Sequence, residues 1–433
     1  MADNWFISLE NFKSIHRLER LEGRPITLLL GSNNAGKTSL LQALLLLKGS
    51  LAYPEAVLSF RNDLVNLGSF RETVTQDCSE EGIAITTGEE SDGKEVWRLL
   101  LRVDTQEGTL QIRECELDGD KRKRNGTTQQ FSFRYSRSLS VEEPRTKYSE
   151  YDQERASKES QVALKNLRWR SFLPYFRTAR ALNVSGASQD LQTFFSSLRY
   201  IGPLRVYPER SYSFQPPPGS DVGIDGRWAP HILRRADPEK ESDQLQELRR
   251  WLGPEGFGLV EDIRTRQVEQ LPGRFLLEVK IQKQWVNLRD VGFGMSQLLP
   301  IVVESIFHSQ RFRPSMLLLE QPEIHLHPEA QAELTTFVIE MARERRQRFL
   351  IETHSHYLVM RLATEVRRGK LSPDDIAIYF LSLDEKGHTQ FQLIPLEKDG
   401  RLPPPKEWPE GFFDTDIKEA DAFLFTSPVH AET

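Results

Sequence analysis

Short apolar runs alternate with helical repeats at the two ends of the chain. Strands are predicted over residues 5–12 and 26–30, followed by a loop over 31–36 and a helix over 37–48 that Gly49 ends. From residue 290 onward, helices with one apolar face again alternate with buried strands. These later elements are a helix with apolar positions at 298–307, a strand over 316–319, a helix with apolar positions at 334–341, a strand over 349–351, a helix up to Gly369, and strands over 376–381 and 390–394. This alternation predicts an α/β fold with a mainly parallel sheet.

The middle of the chain has a different pattern. Strands predicted over 83–87, 96–103 and 111–117 have turn residues between them, which indicates an antiparallel β-subdomain. Residues 118–160 are polar and dense in charge, so we expect an exposed excursion there. A helical segment is predicted over 160–200. Further along the chain, a short helix is expected over 244–252 and strands over 274–281 and 284–288.

Composition is that of a globular protein, with 38% hydrophobic and 28% charged residues among 433. We expect no membrane-spanning segment and no secretion signal, and two cysteines, Cys78 and Cys115, are too few for a disulfide framework or a zinc site. A cytoplasmic location is therefore expected. The net charge of −6 argues against a chain that coats nucleic acid by its overall charge. We interpret the basic runs at 121–124 and 343–348 as solvated faces, which leaves a nucleic-acid partner open.

Residues 31–38 match the phosphate-binding pattern G-x-x-x-x-G-K-[ST] in full and lie between a predicted strand and a predicted helix. In such a loop, backbone N–H groups at a helix N-terminus point at phosphate oxygens. Lys37 would contact the β- and γ-phosphates, and the Thr38 hydroxyl would bind Mg²⁺. We therefore predict ATP and Mg²⁺ as cofactors. The predicted nucleotide-binding residues of this loop are Gly31, Ser32, Asn33, Asn34, Ala35, Gly36, Lys37, Thr38 and Ser39.

A second acidic residue is needed to hold the metal, and Glu320 supplies it at the end of the apolar run 316–319. Glu320 lies 283 residues after Lys37, so a large insertion must divide the core. We predict a split P-loop ATPase core. Its N-terminal half is residues 1–70, its insertion is 71–285, its C-terminal half is 286–395, and a tail covers 396–433.

This arrangement resembles the ABC-type ATPases of the RecF, SMC and Rad50 kind. Residues 11–15 look like their opening strand, 290–297 like their signature motif, and 353–355 like the segment that carries their switch histidine. The chain also resembles bacterial AAA-type ATPases that end in the domain of unknown function 3696. Residues 200–205, 320–328 and 408–414 carry that second resemblance.

The resemblance implies roles for particular residues. Gly294 and Ser296 of the signature would cap the γ-phosphate of ATP bound by a second chain, so two sites would form in a head-to-tail dimer, with a larger assembly left open. His354 would contact the γ-phosphate, with a purely structural histidine as the alternative. Most ABC-type ATPases have a catalytic glutamate where this chain has Gln321. Glutamine orients water but does not act as a base, so we expect slow turnover unless Glu323 takes over that role.

Several other features stay open at this stage. His325 and His327 form an H-x-H pair that could bind metal, but the resemblance places them in a turn that meets the partner subunit. Phe12 and His16 are candidates for stacking on adenine. Residues 66–70 are the candidate glutamine loop.

The resemblance implies a regulatory ATPase of bacterial antiphage defence, which acts on a separate effector such as a nuclease. We find no nuclease motif in the sequence, so that effector would be another chain. The alternative is a DNA-binding ATPase of repair or chromosome maintenance, for which salt-dependent DNA binding would be expected. A transporter motor is a third, disfavoured alternative, and no membrane partner is expected.

Overall fold

The structure is a computed structural model. It describes residues 4–76, 78, 81–91, 94–106, 108–122, 128–136, 145–148, 167–176, 182–215, 219–236, 242–268, 272–308, 315–404, 407–409 and 411.

Strands and helices follow one another along the described ranges in this order: β1 (Asn4–Phe12), β2 (Ile15–Gly23), β3 (Ile26–Gly31), α1 (Lys37–Ser50), α2 (Phe70–Thr73), β4 (Ile83–Ser91), β5 (Lys94–Gln106), β6 (Thr109–Arg122), β7 (Thr128–Ser136), β8 (Arg145–Tyr148), β9 (Leu167–Arg170), β10 (Leu173–Phe176), α3 (Leu182–Ser197), β11 (Leu198–Ile201), β12 (Tyr212–Ser213), α4 (Ala229–Arg235), α5 (Asp243–Leu252), β13 (Asp262–Gln267), β14 (Arg274–Ile281), β15 (Gln284–Asn287), α6 (Phe293–His308), β16 (Met316–Glu320), α7 (Pro328–Arg345), β17 (Arg348–Glu352), α8 (His356–Arg367), β18 (Ile376–Leu383) and β19 (Thr389–Leu393).

A six-stranded sheet is the centre of the fold, with strand order β11-β16-β17-β3-β18-β19. All neighbours in it pair in parallel except β19, which is antiparallel to β18. Strand β16 is buried along its whole length, because a parallel sheet is covered on both faces and favours continuous apolar runs. The predicted α/β fold with a split core and a mainly parallel sheet is confirmed.

The two faces of this sheet pack into two separate hydrophobic cores. Successive residues of a strand point to opposite faces, so Leu28 belongs to one core and Leu29 to the other. Helices α6, α7 and α8 cover the Leu28 face. The leucine-rich helix α1 covers the Leu29 face and shares that core with a second sheet.

That second sheet is the predicted antiparallel β-subdomain. Its seven strands have the order β2-β1-β4-β5-β6-β7-β8, so the first two strands of the chain belong to it. Helix α3 packs on it, and the rings of Phe194 and Trp97 lie 5.0 Å apart. A smaller sheet of β12, β14 and β13, with β15 on β14, contributes Phe275, Leu277 and Val279 of β14 to the core on the Leu28 face.

Several sequence expectations differ from the structure. The predicted helical segment over 160–200 contains strands β9 and β10 before helix α3, which covers only Leu182–Ser197. Helix α1 continues through Gly49 to Ser50, since Gly49 packs against the Asn62 side chain. Strand β2 was not predicted, because its buried positions recur every third residue instead of alternating. Residues 128–136 and 145–148 form strands β7 and β8 within the predicted charged excursion, and most of the remaining excursion lies outside the described residues. Strand β11 lies within the predicted insertion and yet pairs with β16 in the central sheet.

The basic run at 343–348 is only partly a solvated face, because Arg343 and Arg346 are exposed whereas Arg345 and Arg348 are not. Arg345 forms an ion pair with Glu247, and Arg348 is 1% exposed. In the described part of the chain, no helix is both long enough and apolar enough to cross a bilayer.

Arg348 joins the two large sheets. Its guanidinium Nη1 lies 2.6 Å from Glu89 Oε1 of β4, and the guanidinium also lies over the Phe194 ring, 5.5 Å from its centre. Glu89 in turn accepts a hydrogen bond from Trp97 Nε1 at 2.6 Å. This ion pair therefore connects the first residue of β17, Arg348, to strand β4 of the antiparallel sheet.

We predict that Arg348→Met lowers the free energy of unfolding by about 2–4 kcal/mol, because it leaves the half-buried Glu89 carboxylate without its cation. Urea denaturation followed by circular dichroism measures this change. The control is Arg401→Met, which removes an exposed partner of Asp399 and should leave the denaturation midpoint unchanged. Equal effects of the two substitutions would contradict the assigned role of Arg348.

Candidate nucleotide-binding site

The loop between β3 and α1 needs glycine at its two ends. Gly31 has φ 139° and Gly36 has φ 91°, and residues that carry a side chain rarely adopt such backbone angles. A Cβ atom on Gly31 would overlap the carbonyl oxygen of Leu381. A Cβ atom on Gly36 would overlap Thr389 Oγ1 and lie 2.9 Å from Ser14 Oγ. The loop is therefore closely packed against the β1–β2 turn and the start of β19.

Lys37 lies over this loop. Its Nζ donates hydrogen bonds to the carbonyl oxygens of Gly31 at 2.9 Å and Ser32 at 2.8 Å. Burial lowers the pKa of Lys37, and the carboxylates of Glu352 and Glu323 oppose that shift. The ammonium group is thus placed over the concave side of the loop, where the phosphates of a nucleotide would lie.

Three strands end together at this edge of the sheet. Strand β3 leads into the loop, and Glu320 and Glu352 are the last residues of the neighbouring strands β16 and β17. The two glutamates are directly paired in the parallel register. Tyr200 of β11 donates its hydroxyl proton to Glu320 Oε1 at 2.8 Å, so the expected metal ligand has a fixed orientation.

Glu352 was missed by the sequence analysis. Thr38 Oγ1 lies 2.9 Å and 3.1 Å from the two carboxylate oxygens of Glu352, and its one proton is shared between them in a bifurcated hydrogen bond. The signal was present in the sequence, because Glu352 ends an apolar strand just as Glu320 does. Its position directly before Thr353 and His354 drew attention to the histidine instead.

The acidic side chains at this edge have shifted pKa values. Burial raises the pKa of Glu352 to about 7, the charge of Glu320 adds to that shift, and Thr38 and Lys37 oppose it. Burial also raises the pKa of Glu320, against the hydrogen bond from Tyr200. Their carboxylate oxygens and the Thr38 hydroxyl are the hard ligands that Mg²⁺ prefers. No cluster of three or more His, Cys, Asp or Glu suited to a metal occurs among the described residues, but one or two carboxylates suffice where phosphates and water complete the shell.

The turn after β16 brings Glu323 back to the site. Its Oε1 accepts a hydrogen bond from the backbone N–H of His354 at 2.7 Å. Burial raises the pKa of Glu323, and the bond from His354 opposes that shift. The His354 side chain is mostly exposed. Its partial desolvation, and to a smaller extent the positive charge of Lys37, lowers its pKa.

Gln321 is held in a left-handed conformation with φ 44°, and its backbone N–H donates to the Glu352 carbonyl oxygen at 2.7 Å.

Arg205 is a second residue to which the sequence assigned no role. Its Nη2 donates to the carbonyl oxygen of Glu320 at 3.0 Å, and its Nη1 donates to Gln297 Oε1 at 3.4 Å. Burial lowers the pKa of Arg205 to about 10. Arg205 therefore links the end of β16 to the signature helix α6.

The signature residues lie at the start of α6. Ser296 is buried, and its hydroxyl donates to the carbonyl oxygen of Phe293 at 2.6 Å. A Cβ atom on Gly294 would lie 3.3 Å from the His325 carbonyl oxygen. The Phe293 and His325 rings meet edge to face at 4.7 Å, so the H-x-H turn packs on the signature of its own chain. His327 caps α7.

A groove of about 660 Å³ borders the phosphate loop through Thr389. The rings of His16 and His388 line it and stack at 4.9 Å. Phe12 is fully buried, so it is not accessible to a nucleotide base.

Residues 66–70, the candidate glutamine loop, make local contacts. Asn66 forms a β-bridge with Arg61, and Ser69 forms a capping box with Glu72.

Comparisons with known proteins identify a family for most of the chain. The family described as "AAA domain, putative AbiEii toxin, Type IV TA system" matches residues 26–361, and "Protein of unknown function (DUF3696)" matches residues 371–422. No curated protein sequence matches the chain.

Two solved structures align with most of the chain. The SMC head domain from Thermotoga maritima is 11% identical, with 91% of this chain and 99% of that chain covered and a TM-score of 0.39. An Smc head domain with an extended coiled coil, bound to the C-terminal domain of ScpA and derived from Pyrococcus furiosus, is 12% identical. That match covers 92% of this chain and 98% of the other, with a TM-score of 0.40.

We predict that Gly36→Ala disrupts the phosphate loop, because the added methyl group would overlap Thr389 and the positive φ would be strained. A loss of ATP binding of at least about tenfold is expected, which isothermal titration calorimetry would measure. Gly387→Ala is the matched control, since Gly387 also has a positive φ of 79° but open space around it. If Gly36→Ala binds ATP as the control does, the packing constraint on the loop is wrong.

Proposed function

The chain belongs to the AAA-domain family that matches residues 26–361, and on this premise we propose that it is an ATPase that binds MgATP at the loop over residues 31–38. One observation carries the proposal: Lys37 and Thr38 lie at the same sheet edge as Glu320 and Glu352. A basic group and a metal-binding hydroxyl beside buried carboxylates match the needs of a magnesium-bound triphosphate.

Each residue at the edge has a chemical role in this proposal. The backbone N–H groups of residues 31–39 bind phosphate oxygens, and Lys37 neutralises the β- and γ-phosphates. Thr38 and Glu320 hold Mg²⁺, which when bound offsets the negative charge of the phosphates. The exposed His354 ring contacts the γ-phosphate from the next strand.

Hydrolysis requires a group that activates water, and two residues of the turn after β16 are candidates. Gln321 orients the water by hydrogen bonding but accepts no proton. Glu323 accepts a hydrogen bond from the backbone N–H of His354, and burial raises its pKa, which is the direction that favours proton acceptance by a general base. Its almost complete burial restricts access of water, which is consistent with slow turnover.

We further propose that ATP closes a head-to-tail dimer. Gly294 and Ser296 of one copy would cap the γ-phosphate bound by the other, through the N-terminus of α6. The hydroxyl of Ser296 bonds within its own turn, so the backbone N–H groups of that turn are the more accessible donors. The ATP molecule would then be part of the dimer interface, and its loss would open the dimer.

The cellular role that we propose is regulation of a separate cytoplasmic effector, such as a nuclease, in antiphage defence. The family description names a toxin of a toxin–antitoxin system, and this supports a role in which an ATPase controls a harmful activity. DNA binding in repair or chromosome maintenance is the alternative. The basic run at 343–348 gives it little support, because Arg345 and Arg348 form ion pairs with acidic residues and only Arg343 and Arg346 are exposed.

We predict that Lys37→Ala abolishes both ATP binding and ATP-dependent dimerisation, since it removes the cation that faces the phosphates. Calorimetry and sedimentation velocity measure the two effects on the same samples. Lys370→Ala, which removes an exposed partner of Glu365 far along the chain, should leave both unchanged. Tight ATP binding by Lys37→Ala would refute the assigned site.

We also predict that Gln321→Glu raises the ATP turnover rate at least about tenfold, because a general base contributes about 10²–10⁴-fold. Glu323→Gln should lower the rate of the natural chain by a similar factor. Steady-state phosphate release measures both. An unchanged or lower rate in Gln321→Glu would contradict the role given to this position.

A further inference from the structure

Two buried carboxylates lie side by side at the edge of the central sheet. Glu320 and Glu352 are in register on adjacent parallel strands, so their side chains project to the same face. They are 6% and 5% exposed, respectively. The sequence predicted a metal site with one acidic residue, Glu320, together with Thr38. Glu352 is a second carboxylate at the same place.

Neither carboxylate forms an ion pair within the described residues, although the charge of Lys37 lowers the pKa of Glu352 and that of Arg205 lowers the pKa of Glu320, in both cases against the larger effect of burial. Lys37 Nζ is bonded to the carbonyl oxygens of the loop, and Arg205 contacts the backbone oxygen of Glu320 and not its carboxylate. The polar partners of the two carboxylates are the neutral hydroxyls of Tyr200 and Thr38. Two neighbouring buried carboxylates without a cation repel each other, and a divalent ion between them would remove that repulsion.

Glu352 also contacts the residue that binds the metal. Both of its oxygens lie within 3.1 Å of Thr38 Oγ1. Magnesium in nucleotide sites is bound through one or two carboxylates together with the phosphates of the substrate. The place of Glu352, beside Thr38 and opposite Glu320, is that of a second such carboxylate.

We propose that Glu352 is the second acidic residue of the magnesium site and makes ATP binding dependent on a divalent cation. This inference rests on the proposed function. With Mg²⁺ present, the two carboxylates and the triphosphate share one cation. Without it, the four negative charges of ATP meet two carboxylates, and the nucleotide is repelled.

A structural role gives a different expectation. If Glu352 only held the Thr38 side chain in place, its substitution would weaken the binding of ATP equally with and without metal. If it is part of the metal site, substitution by glutamine weakens MgATP binding and strengthens the binding of metal-free ATP. The ratio of the two dissociation constants therefore separates the two roles.

The experiment measures the Kd of ATP by calorimetry at pH 8, once with excess Mg²⁺ and once with EDTA. It compares the natural chain with Glu352→Gln, Glu352→Asp and Glu365→Gln. Glu365 is a matched control, because it is a buried glutamate with Arg368 and Lys370 as partners and lies outside the site. Thermal unfolding of every variant is recorded first.

For Glu352→Gln we expect the ratio of Kd in EDTA to Kd in Mg²⁺ to fall at least about tenfold, which corresponds to about 1.4 kcal/mol. Glu352→Asp keeps the charge, so the ratio should fall much less than in Glu352→Gln, and equal falls in the two variants would overturn the proposal. If Glu352→Gln fails to fold, Glu352→Ala takes its place with the same expected fall. An unchanged ratio in Glu352→Gln would overturn it as well. If the natural chain itself does not bind MgATP, the proposed function fails, which is a distinguishable result.

Discussion

Parallel pairing of β3, β16 and β17 is the constraint on which the site depends. In a parallel sheet the carboxyl ends of neighbouring strands meet at one edge, and ligands bind there. Gly31, Glu320 and Glu352 are the last residues of these three strands, although Gly31 is separated from the two glutamates by most of the chain. The register that pairs Glu320 with Glu352 also fixes the distance between the two carboxylates.

The edge is stabilised by hydrogen bonds from outside these strands, because buried polar groups are costly when they lack partners. Tyr200 orients Glu320, and Arg205 connects the end of the same strand to the signature helix. Both residues come from the segment that enters the sheet through β11. The segment between the two halves of the core therefore supplies part of the site and does more than separate them.

The phosphate loop is also in contact with the antiparallel sheet. Ser14, in the turn between β1 and β2, and Thr389, at the start of β19, bond to each other directly over Gly36. The two sheets share the core around α1 and are joined by the ion pair of Arg348 and Glu89. A movement of the loop on nucleotide binding would thus be passed to both sheets through packed groups.

The sequence by itself determined the phosphate loop, the position of Glu320 and the α/β order of elements, because these depend on local spacing and on apolar runs that end at a functional residue. It missed β2, whose buried positions follow a local register irregularity, and β11, a strand of four residues most of which falls within the predicted helical segment over 160–200. Only the tertiary structure showed what Glu352 and Arg205 contact. Glu352 ends an apolar strand, which the sequence does show, but its bond with Thr38 and the bond of Arg205 with Glu320 join segments far apart in the chain and cannot be read from local spacing.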